Sequence, residues 1–185
     1  MKLNLGSADK RFEGFTNLDK FKVFKPDIVH DLEDTPYPIK ENSVDEIKMH
    51  HILEHIGKDP DTYNSIMKEI YRISSNGAII DIRVPHPRHD HYLADPTHVR
   101  PITRLGLELY DRELNKIWKD KGYANSQLGL IHNVNFKIID IKITLEKKYH
   151  DLLKSEKISN SELQEYIDKY NNVVIETNFF LKVIK

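Results

Sequence analysis

The chain has 185 residues, 39% hydrophobic and 31% charged, with 28 basic against 29 acidic side chains and no cysteine. That length buries roughly two-thirds of the surface of the unfolded chain, enough for a sizeable core in one domain over 1–185. The composition excludes disulfides, thiolate zinc sites and a cysteine nucleophile. A net charge near zero gives no global attraction to nucleic acid, and no apolar run approaches the ~20 residues of a membrane span.

The first residues, MKLNLG, enter a strand pattern at once without the charged and apolar regions of a signal peptide, so a cytoplasmic protein is expected. Met1 to Leu5 reads as a strand closing on Gly6, FTNLD as a second ending at Asp19, and PDIVHDL as a third. VDEIKMH, with Val44, Ile47 and Met49 apolar, reads as a buried parallel strand, and a helix is expected from about His51. Asp59-Pro60 is a helix start, with Tyr63, Ile66, Met67, Ile70 and Tyr71 at helical spacing and Asn76-Gly77 as the closing turn. AIIDIRVP is a fifth strand.

A histidine- and proline-rich loop follows over 86–103, long enough to be functional on length grounds. One helix is expected over RLGLELYDRELNKIWKDKGY, burying Leu105, Leu109, Leu114, Ile117 and Trp118. NFKIIDIKITL and TNFFLKVIK read as terminal strands around a charged helical insertion at 150–172. Alternation of strand and helix predicts an α/β fold with a mostly parallel sheet.

Gly6 directly after a strand can open a ligand-facing loop where a following helix terminus offers free N–H groups. Asp19, at the end of the next strand, is placed to accept hydrogen bonds from both hydroxyls of a ribose. The loop GSADKRFEG lacks the further glycines of a dinucleotide fingerprint, so an adenosine ligand suits it better than a dinucleotide.

LNLGSADKRFEGFTNLD, DIVHDLEDTPYPIKENSVDEIKMHHILEHI and SSNGAIIDIRVP, taken in that order, resemble the successive motifs of class I S-adenosylmethionine-dependent methyltransferases, closest to the small type 11-like family. The match covers about residues 2–85. The resemblance implies a Rossmann-like seven-stranded sheet, mostly parallel and flanked by helices, with the last strand antiparallel. It implies S-adenosyl-L-methionine as cofactor, with Asn4, Leu5, Gly6 and Ser7 at its methionine part and Asp19 on its ribose. Asp31 and Leu32 would flank the adenine, and His50 and His51 would line the cleft. The second glycine of the family loop is Ala8 here, and its frequent cysteine is Ser7. A methyl at Ala8 fits wherever φ stays negative.

MHHILEHI also contains His51, Glu54 and His55 as H-x-x-E-H, the inverted zinc-peptidase pattern, in which two histidines four apart share a helix face. The resemblance assigns the same residues to the methyltransferase segment after the fourth strand. In the loop, DPTHVR is similar to a segment of the family, which makes His98 and Arg100 candidates for the substrate side beside His51. Imidazole can take a proton near neutral pH, and guanidinium can hold an anionic group. Methyl transfer to an oxygen or nitrogen of a small-molecule or sugar-like acceptor is the expected reaction. The alternatives are a histidine-ligated metal-dependent hydrolase and an inactive binding module with this fold.

Overall fold

The computed structural model describes residues 1–185. Its sheet has seven strands in the order β3-β2-β1-β4-β5-β7-β6. They are β1 (Lys2–Leu5), β2 (Thr16–Asp19), β3 (Ile28–Val29), β4 (Val44–His50), β5 (Ser74–Pro85), β6 (Phe136–Leu145) and β7 (Val174–Val183). The first five pair in parallel, and β7 runs antiparallel between β5 and β6. This is the Rossmann-like architecture the motif order implies.

Alternation along the strands divides the sheet into two unlike faces. On one, Leu3, Ile47, Ile80 and Leu181 stand side by side across four strands, all buried. Helix α1 (Pro60–Ile73) packs Ile66, Met67 and Ile70 into the same core. On the other face the neighbouring row is Asn4, Lys48, Asp81 and Phe180. Phe12 and Phe15 from the loop after β1 lie against it, with the Lys48 ammonium 4.7 and 5.3 Å from their ring centroids. Val44 and Ile47 both face the core despite odd spacing, because the pairing is irregular between Val44 and Glu46.

Several expectations are corrected here. No helix follows β1, β2 or β3; the β2–β3 connection contains one 3₁₀ turn, Lys22–Phe24. The segment from His51 contains only a 3₁₀ turn, Leu53–His55. Gly57, at φ +69°, ends it, and Asp59 restarts the chain by capping Thr62 N at 2.9 Å. Gly57 has no room for a side chain, since a Cβ would stand 2.7 Å from Tyr63 Cα. Asn76-Gly77 lies inside β5: Val44 pairs with Ser74 but Glu46 with Ile79, so β5 loops out around Gly77 at φ +84°.

After the short α2 (Asp90–Leu93), the single helix expected over 104–123 is two, α3 (Arg104–Glu108) and α4 (Arg112–Asp120). Asp111 accepts hydrogen bonds from Glu113 N and Leu114 N and so starts α4 afresh. The break resets the helical phase, burying Leu107 and Tyr110 while Leu105 and Ile117 stay exposed. Beyond α5 (Leu128–Ile131), α6 (Lys147–Lys154) and α7 (Asn160–Lys169) form a small cluster on Ile158, Leu163 and Val173. A Ser159–Glu162 capping box opens α7. No helix is long and apolar enough to cross a membrane.

Candidate functional site

The carboxyl ends of β1, β2 and β4 surround a cleft of about 180 Å³, where open α/β sheets place their ligands. Gly6 forms its floor at φ +64°, and a Cβ there would come within 2.4 Å of Ile52 Cγ1. Glycine is required twice over, by the backbone angle and by this approach. The Gly6 and Ser7 N–H groups both donate to Leu18 O, at 2.9 and 3.2 Å. The loop is thereby tied to β2, and with no helix behind it these two donors do not face a ligand.

Asp19 is 6% exposed on the cleft wall. Its Oδ2 accepts from Ala8 N at 2.8 Å and its Oδ1 from Phe21 N at 2.8 Å. A carboxylate has about four lone-pair directions, so each oxygen keeps one. The first of these bonds helps hold Ala8 at φ +42°, a left-handed angle that disfavours a side chain. Ala8 thus stands in the one conformation in which its methyl group does not fit freely.

Asp31 and Leu32 line the same cleft, with Asp31 Oδ2 3.3 Å from Lys20 Nζ. His51 closes it on the β4 side at φ +56°. Its Nε2 is 3.2 Å from Glu176 Oε1 and its Nδ1 3.6 Å from Glu54 Oε1. The Glu54 carboxylate beside it raises the His51 pKa against an opposing effect of burial, and the charge of Glu176 adds to the rise.

Four of the cofactor candidates lie outside the cleft lining. The Asn4 amide donates to Lys10 O and Asn17 Oδ1, pinning the loop from below. Leu5 is core, and Ser7 is buried and accepts from Arg11 Nη1 at 3.1 Å. His50 is directed to the polar sheet face, where Nε2 lies 3.0 Å from Asp81 Oδ2, off the line of a well-formed hydrogen bond. Phe12 meets its ring edge-on at 5.3 Å.

His98 and Arg100 stand on the far side of the Leu53–His55 turn, whose Glu54 carbonyl receives the N–H groups of Val99 and Arg100. The His98 ring is stacked on Tyr92 at 5.1 Å and its Nδ1 donates to Tyr92 O at 2.7 Å. Arg100 lies 4.1 Å over the Tyr63 ring, donates to Gly57 O and lines a separate cavity of about 280 Å³ with Asn64 and Tyr110. Burial pushes the Tyr63 hydroxyl up to about 12, against the pull of Arg100. The zinc-peptidase geometry is corrected too: with no helix through His51 and His55, the two rings turn to Glu176 and to Thr97.

Sequence reasoning missed Lys20, Phe21, Phe24, His30, Ile52 and Ile56, which complete the cleft. The two aromatics of KFKVF, directly after the acid, were the available signal, Phe21 being exposed and Phe24 half-buried. Arg11 was also missed; its guanidinium bridges Ser7 and Ala8 to the carbonyls of Phe24 and Lys25 and braces the mouth.

No protein-family model matches the sequence, and no curated protein matches it. Solved structures share its fold. A SAM-dependent methyltransferase from Archaeoglobus fulgidus is 17% identical with a TM-score of 0.61, over 98% of this chain and 85% of that one. The 1,6-didemethyltoxoflavin-N1-methyltransferase of Burkholderia thailandensis, solved with 1,6-didemethyltoxoflavin and S-adenosylhomocysteine, is 10% identical with a TM-score of 0.51, over 100% and 71%. The [4+2]-cyclase SpnF is 13% identical with a TM-score of 0.54, over 99% and 75%. The chain therefore has the fold of the class I methyltransferases.

Proposed function

We propose that this chain is a methyltransferase that holds S-adenosyl-L-methionine in the Gly6–Asp19–Asp31–His51 cleft and methylates an oxygen or nitrogen of a small-molecule or sugar-like acceptor. The observation that carries this reading is Asp19: a nearly buried carboxylate on a cleft wall, with backbone donors on both oxygens and lone pairs to spare for a vicinal diol. The cleft suits the nucleoside part of such a ligand, with Phe21, Phe24 and Leu32 as apolar walls and Asp31 as a polar end. When bound, the cofactor supplies an electrophilic methyl group on a sulfonium.

The residues of the chain then have to orient the acceptor and, where its nucleophile is protonated, receive the proton. His51 is the candidate acceptor of that proton, through an imidazole nitrogen at the cleft wall. His98 and Arg100, beyond the Glu54 turn, are the candidates for the acceptor side. The near balance of 28 basic and 29 acidic residues is the reason for placing that acceptor among small molecules rather than nucleic acids. A cytoplasmic location goes with this reading.

Calorimetric titration with S-adenosylmethionine and S-adenosylhomocysteine tests it. Micromolar binding of both is expected, and Asp19→Ala should weaken it by roughly 1.5 to 3 kcal/mol. Because Asp19 also orders its own loop, Asp19→Asn and a circular-dichroism check accompany the alanine variant. A folded wild-type chain that binds neither compound, or an Asp19→Ala variant of unchanged affinity, overturns the assignment.

A further inference from the structure

The two histidine segments, far apart in sequence, converge at Glu54, His55 and His98, whose ligand atoms all lie within 4.8 Å of one another. Glu54 is 1% exposed, and neither of its carboxylate oxygens has a hydrogen-bond partner. The nearest basic nitrogen is His51 Nδ1, at 3.6 Å and beyond hydrogen-bond reach. A buried carboxylate without donors is costly unless a cation completes it.

Both imidazoles are prepared in the same sense. His98 Nδ1 faces Tyr92 O, which only accepts, so Nδ1 carries the hydrogen and Nε2 keeps its lone pair. Thr97 Oγ1 donates to Asp95 Oδ1 at 2.6 Å, so His55 Nδ1, 2.9 Å from the same hydroxyl, is the donor there. His55 Nε2 is left with its lone pair as well. A carbonyl or hydroxyl fixing the remote nitrogen is the usual support behind a metal-ligating histidine.

From this geometry we infer that Glu54, His55 and His98 bind one divalent transition-metal ion of the zinc class. Two imidazoles and one carboxylate suit zinc or its first-row neighbours better than magnesium. Ligands about 2.0 to 2.2 Å from an ion require the trio to draw together slightly, by side-chain rotation on two loops. Three protein ligands leave coordination open for a water or a substrate oxygen, as in catalytic rather than structural sites. His51 links the trio to the cleft, through its contact with Glu54. An ion there would orient an acceptor hydroxyl and favour its deprotonation. That role rests on the methyltransferase reading; the binding of the ion does not.

The test uses tag-free full-length protein stripped with a chelator, dialysed and titrated with zinc by calorimetry, with elemental analysis of the recovered complex. One zinc per chain is expected, with affinity reduced tenfold or more in Glu54→Gln and in His98→Gln and unchanged in the surface variant His150→Gln. Binding of S-adenosylhomocysteine by the same samples reports folding and tests the cofactor site separately. A chain that binds S-adenosylhomocysteine but shows no saturable one-to-one zinc binding overturns the metal site and leaves the methyltransferase reading standing. Zinc binding that survives both substitutions equally overturns it too. Zinc bound as expected without any S-adenosylhomocysteine overturns the methyltransferase reading and leaves the metal site.

Discussion

The glycine-loop end of the sheet and the histidine end treat their polar groups in opposite ways. Around β1 and β2 nearly every polar group is engaged: Asn4 with Lys10 and Asn17, Asp19 with Ala8 and Phe21, Arg11 with four oxygens. Past the end of β4 the buried Glu54 oxygens and Arg100 Nε lack hydrogen-bond partners, as do both ring nitrogens of His50 at the last position of β4 and, within the sheet, Asp81 Oδ1 and Asn178 Oδ1. Engaged groups hold a cleft in shape before a ligand arrives; unengaged buried groups await one. The first end is thus held in shape by its own hydrogen bonds, and the second carries the residues of the inferred ion site.

Gly6→Ala breaks the pre-organised end most severely. The new Cβ would clash with Ile52 at a left-handed backbone angle, and a loss of about 3 kcal/mol is expected in urea unfolding. The opposite sign is expected at the histidine end. In the presence of EDTA, Glu54→Gln replaces an unpartnered buried carboxylate by a neutral group of similar shape and should raise stability by about 1 to 2 kcal/mol. If it lowers stability instead, Glu54 has a structural partner and the contrast between the two ends fails.

Ala8→Gly sharpens the comparison more gently. It relieves a φ of +42° while loosening the unfolded chain, for a net gain of about 0.5 to 1 kcal/mol read from the denaturation midpoint. The smallest effect concerns the polar sheet face. Burial alone would raise the Asp81 pKa, but the close approach of His50 and the hydrogen bond and charge of Lys48 outweigh it and hold the carboxyl below its ordinary range. Its folded pKa is depressed, so its contribution is fully present above the unfolded value of about 3.9 and is lost as pH falls through the folded one. Urea midpoints of wild type and Asp81→Asn measured from pH 6 down to 3 should converge at the acid end.

Most of the fold was legible because it is written in local signals. VDEIKMH matches β4 residue for residue, and Asp59-Pro60 opens α1 where a cap followed by proline should. The break between α3 and α4 was not legible, since leucines at 105, 109 and 114 continue a helical period through a cap residue at Asp111. Gly57 and Asp59-Pro60 showed in the sequence that the segment from His51 is short, but not that it closes as a single 3₁₀ turn, which depends on how closely Gly57 must approach Tyr63. In the cleft, Gly6, Asp19, Asp31, Leu32 and His51 do come together, whereas Asn4, Leu5, Ser7 and His50 support it from positions outside its lining.

Strand alternation and caps depend on residues within a few positions of one another, and these located the strands and the α/β class from sequence alone, while the family resemblance implied the seven-stranded sheet with its last strand antiparallel. The left-handed angle at Ala8, the capture of Arg100 by Tyr63 and the meeting of Glu54 and His55 with His98 were decided only by the tertiary structure. Each joins groups that no local period relates, so their distances exist only once the sheet has brought its loops together at one edge.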